Sequence, residues 1–119
     1  DAPKGWKWAD SWEFDGVRYE HGDALTGASR VLTSAKNRGV STVFGHYHSI
    51  AGVHWHRNAK HRWFTMGVGC GVDEKSWAFS YHKGPPDVQL SCGVVYYGVP
   101  HLIPMFTDAK GRWTGELTL

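Results

Sequence analysis

The sequence predicts an α/β domain: a mixed β-sheet carrying one main helix. Three observations lead there. Short β-branched and aromatic runs recur along the chain, separated by glycine-bearing turn signals. One segment alone changes to a three- and four-residue apolar period. The aromatic load is heavy, with 7 Trp, 5 Tyr and 5 Phe, and 15 Gly punctuate it, which favours strands over a helix bundle.

In chain order, the stretch SWEFDGVRYEH (11–21) is two strand-like runs around Asp15-Gly16, a dipeptide suited to a tight hairpin. Its second arm, from Val17, delivers His21 to a strand end. Leu25, Ala28, Val31, Leu32 and Ala35 then fall on one helical stripe. Thr26 suits the N-cap, and Gly39, after Lys36 and Arg38, suits the C-terminal stop. VSTVF (40–44) reads as a buried strand. Strand, helix, strand in this order implies a parallel pair joined by a right-handed crossover.

After Gly45, the runs SIAGVHWH and HRWFTMGV flank a polar hairpin tip, Arg57-Asn58-Ala59-Lys60. From Gly67 to Pro86 the chain reads as a long surface loop, of the kind that often carries function. VQLSCGVVYYG, PHLIPMF and RWTGELTL complete an antiparallel meander, with Pro100 and Pro104 confining the middle strand to an edge or a bulge. Aromatics that alternate inside strands are expected mostly in the core.

At 119 residues the chain makes one domain, 1–119, with no repeat and no linker. A formal net charge of +2 is too small to argue for nucleic-acid binding by itself. No apolar run approaches the roughly 18 residues of a membrane span, and the amino end is no signal peptide, so a cytoplasmic protein is expected. Cys70 and Cys92 could pair if the fold brings them together, but their glycine-flanked strand positions also fit buried thiols. The chain begins at Asp1 with no methionine, which points to a preceding segment.

The chemistry lies in the eight histidines. VFGHYHSI (43–50) sets His46 and His48 one residue apart behind a glycine. Neutral imidazoles bind borderline divalent ions, and carboxylates extend such sites to manganese and iron. Gly22 and Gly45 allow tight turns beside these ligands. His21, His46 and His48 would then lie past the carboxyl ends of neighbouring parallel strands, where open sheets hold their ligands. Taken by itself an HxH is a weak signal, and ordinary loop histidines remain an alternative. His54 and His56, with His61 on the returning arm, fit a solvated strand face; His82 and His101 have no sequence partners. Asp23 suits either the start of the helix or an orienting contact to His21.

YEHGD, an amphipathic stretch and a β-branched strand running into VFGHYHSI together resemble the carboxy-terminal half of the calcineurin-like metallophosphoesterases. The likeness is specific from Trp12 to Ile50. It is looser from Gly52 to Leu119, where the pattern is similar to phage and bacterial members. The resemblance implies the second half of a four-layer α/β sandwich with a two-metal site. There, two divalent ions (Mn, Fe, Zn or Ni) clamp a phosphate and activate a hydroxide for in-line attack. It assigns His21 and His46 to one ion and His48 to the other, and leaves Tyr47 without a role. The family's amino-terminal Asp-x-His, bridging Gly-Asp and Asn-His motifs have no counterpart here, and Gly22-Asp23 belongs to the His-Gly motif instead.

Three neutral histidines cannot offset two divalent charges, so the chain alone should bind metal weakly and hydrolyse phosphoesters poorly. The expected function is phosphoester hydrolysis, on a nucleotide or nucleic acid among other substrates, once the missing half comes from the full-length chain or a partner. Self-association through an exposed sheet is a further expected interaction. The alternative is a non-catalytic β-rich module that binds nucleic acid or protein through aromatics interleaved with Lys60, Arg62, Lys83 and Arg112.

Overall fold

The computed structural model of the protein describes residues 3–22, 35, 38–47, 49–69 and 89–116. These form seven strands: β1 (Ser11–Phe14), β2 (Val17–Glu20), β3 (Ser41–Phe44), β4 (Gly52–Arg57), β5 (Arg62–Gly67), β6 (Ser91–Tyr96) and β7 (Val99–Pro104). The first five make a mixed sheet in the order β1-β2-β3-β5-β4, while β6 and β7 form a separate ribbon. Strands β2, β3 and β5 run parallel at its centre, and β1 and β4 close it as antiparallel edges.

The α/β expectation is corrected by this architecture. Every complete element among the described residues is a strand, so the described protein is a β-sheet fold, and the main helix that the sequence suggests is not among its described elements. Most of the apolar stripe, with Asp23, lies outside the described residues. Ala35 is fully buried, and its N–H donates to the Thr65 hydroxyl at 3.2 Å. The Gly39 N–H donates back to the Ala35 carbonyl at 2.8 Å, with Gly39 at a φ of +68°, the left-handed stop that the sequence places there. A stripe of apolar residues says which side chains can share a face. It does not decide the class of a chain whose pairing is dominated by strands.

The hairpin readings hold because the turn chemistry is local. Asp15 and Gly16 both have positive φ, the backbone that a two-residue hairpin needs to match strand twist. Tyr97 and Gly98 repeat that geometry between β6 and β7. At the β4–β5 tip, Asn58 Oδ1 accepts from the backbone N–H groups of Lys60 and His61, both at 2.8 Å. The three-strand meander is not formed among the described residues. After β7 the chain makes one isolated antiparallel bridge, Thr107 to Trp113.

Alternation divides the sheet. Val17, Phe64 and Met66 are buried on one face, joined by Tyr19, Val43 and Val68 and covered by Val95 and Leu102 of the ribbon. The ribbon approaches closely because position 93 has no side chain. A Cβ on Gly93 would lie 2.6 Å from Val68 Cγ1 and 2.7 Å from Met66 Cε. The other face buries Thr42, Phe44 and Thr65 beneath Ala35. Thr65→Val would remove the hydroxyl that accepts from the buried Ala35 N–H. Chemical denaturation should show a loss of about 0.5–1.5 kcal/mol, the usual net value of one hydrogen bond.

The aromatics depart from expectation. Trp12, Phe14, Trp55, Tyr96 and Tyr97 are exposed although they sit in or beside strands. Edge strands and a two-stranded ribbon have neighbours on one side only, so alternation there does not guarantee cover. Cys92 is half-buried on β6 opposite Ile103, and Cys70 lies outside the described residues. Among the described residues, no helix is long and apolar enough to cross a membrane.

Candidate metal centre

The site begins with register. β2 and β3 are parallel and level, with Glu20 opposite Phe44, so their carboxyl ends finish side by side. The ladder continues one step further, the Gly45 N–H donating to the His21 carbonyl at 3.0 Å. Residues 21 and 46 are therefore brought together by main-chain bonding, not by chance proximity of two side chains.

Of the two glycines beside the expected ligands, Gly22 behaves as its position suggests, whereas Gly45 takes no positive φ and a Cβ there would meet only an ordinary contact, 3.6 Å from the His21 carbonyl oxygen. Gly22 is buried at a φ of +100°, and a Cβ there would stand 3.3 Å from Phe44 Cβ and 3.4 Å from the Gly45 carbonyl oxygen. Only glycine suits both the dihedral and the space. This lets the chain leave β2 directly over the end of β3.

His46 carries a feature that the sequence does not advertise. Its φ is +61°, and the Tyr47 N–H donates to the Gly45 carbonyl at 2.7 Å, closing a three-residue turn around it. Such turns with positive φ at the centre are the rarer, strained hand. Holding a non-glycine residue there costs about 1–3 kcal/mol, and such outliers gather at functional sites. The only available sequence cue is weak: histidine, with asparagine and aspartate, tolerates the left-handed region better than most residues.

The turn aims the ring. His46 Nδ1 faces His21 Nε2 at 3.0 Å, with the rings edge to face at 76° and their centroids 4.9 Å apart. Tyr47 packs edge-on against His46 at 5.0 Å. Both histidines are exposed. Two neutral imidazoles in this pose share one proton, one nitrogen donating and the other accepting. Both ring nitrogens are also metal-ligand atoms, and a cation bound here would have to displace this contact and turn both lone pairs toward itself.

The neighbouring carboxylate is committed elsewhere. Glu20 points to the opposite face, where Oε2 accepts from Arg18 Nε at 3.3 Å and Oε1 meets Arg38. Among the described residues, no group of three or more His, Cys, Asp or Glu side chains is arranged to hold a metal ion. His48 lies outside the described residues, so its place relative to the pair is not part of this geometry.

The other described histidines lie on or beside different strands. His54 and His56 project from the same side of edge strand β4 with ring centroids 4.8 Å apart, and His61 lies beside Trp63 at 5.8 Å. His101 is exposed on β7, and His82 lies outside the described residues. Of the cations in the binding-module reading, Arg62 places its guanidinium 4.5 Å from the Trp55 ring centroid. Lys60 belongs to the same hairpin tip, Arg112 lies near the isolated bridge, and Lys83 is outside the described residues. No family model, curated protein or solved structure matches the chain.

Proposed function

We propose that His21 and His46 form part of the metal site of a metal-dependent phosphoesterase. In this reading His48 and carboxylates from outside these 119 residues complete the site. The facing nitrogens at 3.0 Å, held by a strained turn at the rim of two level parallel strands, carry the reading. Its motif order, His-Gly followed by Gly-His-x-His, is the one that resembles the calcineurin-like enzymes.

Divalent ions held there would polarise a phosphoester and supply a nucleophile from water near neutral pH. This chain's own part is narrower. The ladder fixes the spacing of the two imidazoles, the turn at His46 presents Nδ1, and Tyr47 limits rotation of the ring. Two neutral ligands bring no negative charge, so the chain alone should hold such ions weakly.

The test has two parts. Calorimetric titration of the chain with Zn²⁺ or Mn²⁺ should show weak binding, reduced about tenfold or more by His21→Ala, a loss in the range seen when support around a metal is removed. An aryl phosphate should be cleaved by the chain joined to its upstream coding sequence, and not by that protein carrying His46→Ala. Activity of the isolated chain that survives His46→Ala unchanged overturns the assignment.

A binding role is the second reading, favoured by the exposed aromatics and by Arg62 over Trp55. Fluorescence anisotropy with a labelled single-stranded oligonucleotide separates the two. Tight binding lost in Trp55→Ala and indifferent to His46→Ala supports the module.

A further inference from the structure

At the opposite end of β2 from His21, the two hairpin turns enclose a cleft of about 480 Å³. Phe14, Asp15, Val17 and Tyr19 line it from the first hairpin, and Val95, Tyr96, Tyr97 and Gly98 from the second. Its volume lies within the range of small-molecule sites, roughly 300–1,000 Å³. We propose that this cleft binds a compact organic cation of the quaternary-ammonium class.

Charge comes first. Among the lining residues there are four aromatic rings and one carboxylate, Asp15, and no lysine, arginine or histidine. In a chain with a formal net charge of +2, that is a local reversal of sign. The cations of the β4–β5 tip, Arg57, Lys60 and Arg62, line a different depression. Ring faces carry negative quadrupole density, so four rings and a carboxylate attract a cation and repel a phosphate.

Shape comes second. Phe14 and Tyr19 are inclined at 55° with centroids 6.2 Å apart, and Tyr96 and Tyr97 at 77° with centroids 4.5 Å apart. Rings set at such angles do not make the parallel slot that would sandwich a planar base. Inclined ring faces of this kind suit a tetrahedral methylated ammonium better than a flat base. Val17, 3% exposed, supplies an apolar floor.

The turns fix the rim of the cleft. Asp15 and Tyr97 take the positive φ that the first position of each two-residue hairpin requires, and both line the cleft. Tyr97 is 89% exposed, so its ring is open to a ligand. Free choline and a choline-bearing lipid headgroup present the same quaternary ammonium.

The experiment is NMR or calorimetric titration of the chain with tetramethylammonium and choline, against 3,3-dimethylbutan-1-ol as a neutral isostere of choline. Binding of the cations, with the neutral isostere at least about fivefold weaker, is expected, in line with cation–π attraction of about 0.5–2 kcal/mol. Asp15→Asn and Tyr97→Asn test the site without endangering the fold, because asparagine suits the first position of both turns. Each should weaken cation binding about fivefold or more and leave the melting temperature unchanged. Equal binding of the neutral isostere, or cation affinity unmoved in both variants, overturns the proposal. Phosphatidylcholine vesicles then separate the sources. Co-sedimentation lost in Tyr97→Asn supports a lipid headgroup, and choline binding without co-sedimentation supports a free solute.

Discussion

Phe44→Ala should lower the free energy of unfolding by about 3–5 kcal/mol, the range for removing a buried aromatic side chain. Phe44 is 1% exposed at the end of β3, in the middle of the sheet. Its Cβ is the nearest heavy atom to where a side chain on Gly22 would begin, and its ring crowds Gly67, whose Cβ would meet Cζ at 2.8 Å. Two glycines thus leave room for one ring, and alanine would leave a cavity between three strand ends. The carbonyl of Phe44 also accepts from the Val68 N–H at 3.0 Å, so the loss reaches the continuation of β5. Urea denaturation followed by tryptophan fluorescence measures it. A loss under about 1 kcal/mol would mean that the site collapses freely and that Phe44 does not anchor the rim.

His46→Gly should separate stability from binding. Glycine relaxes the turn at φ +61°, offsetting part of a strain of about 1–3 kcal/mol, while its looser unfolded chain costs about 0.5–1 kcal/mol. The melting temperature should therefore hold or rise. Metal affinity should fall by about tenfold or more, because Nδ1 is gone. His46→Asn, also tolerant of the left-handed region, should behave alike. Calorimetry with Zn²⁺ and a thermal melt of each variant check both halves. A protein destabilised by glycine with its metal affinity intact would show that His46 serves packing alone.

These expectations show where sequence reading reached and where it stopped. The Asp15-Gly16 hairpin, the Asn58 tip and the short β-branched strand ending at Phe44 were legible because each depends on neighbours in sequence. So was the parallel pairing of β2 with β3, which the expected crossover between two strands suggested, and with it the meeting of His21 and His46. The fold class was not legible. An apolar period between residues 25 and 35 suggested a helix that would define the molecule, whereas the described protein is built from strands and their long-range pairing. Aromatic exposure was hidden for a similar reason: Trp12 and Trp55 alternate correctly, but strand order puts them on edges. The positive φ of His46 and of Tyr97 leaves almost no trace in composition, because residue identity permits a backbone angle without demanding it.

The two facing imidazoles are 25 residues apart in the chain and meet only across the parallel ladder. Hairpins such as β4–β5 close over short loops, whereas this pairing closes a long one and so belongs among the slower steps of folding. Any ion captured there binds the native register and nothing before it. By mass action it would raise the melting point in proportion to the logarithm of its concentration, making a simple thermal-shift series a gauge of the rim's assembly.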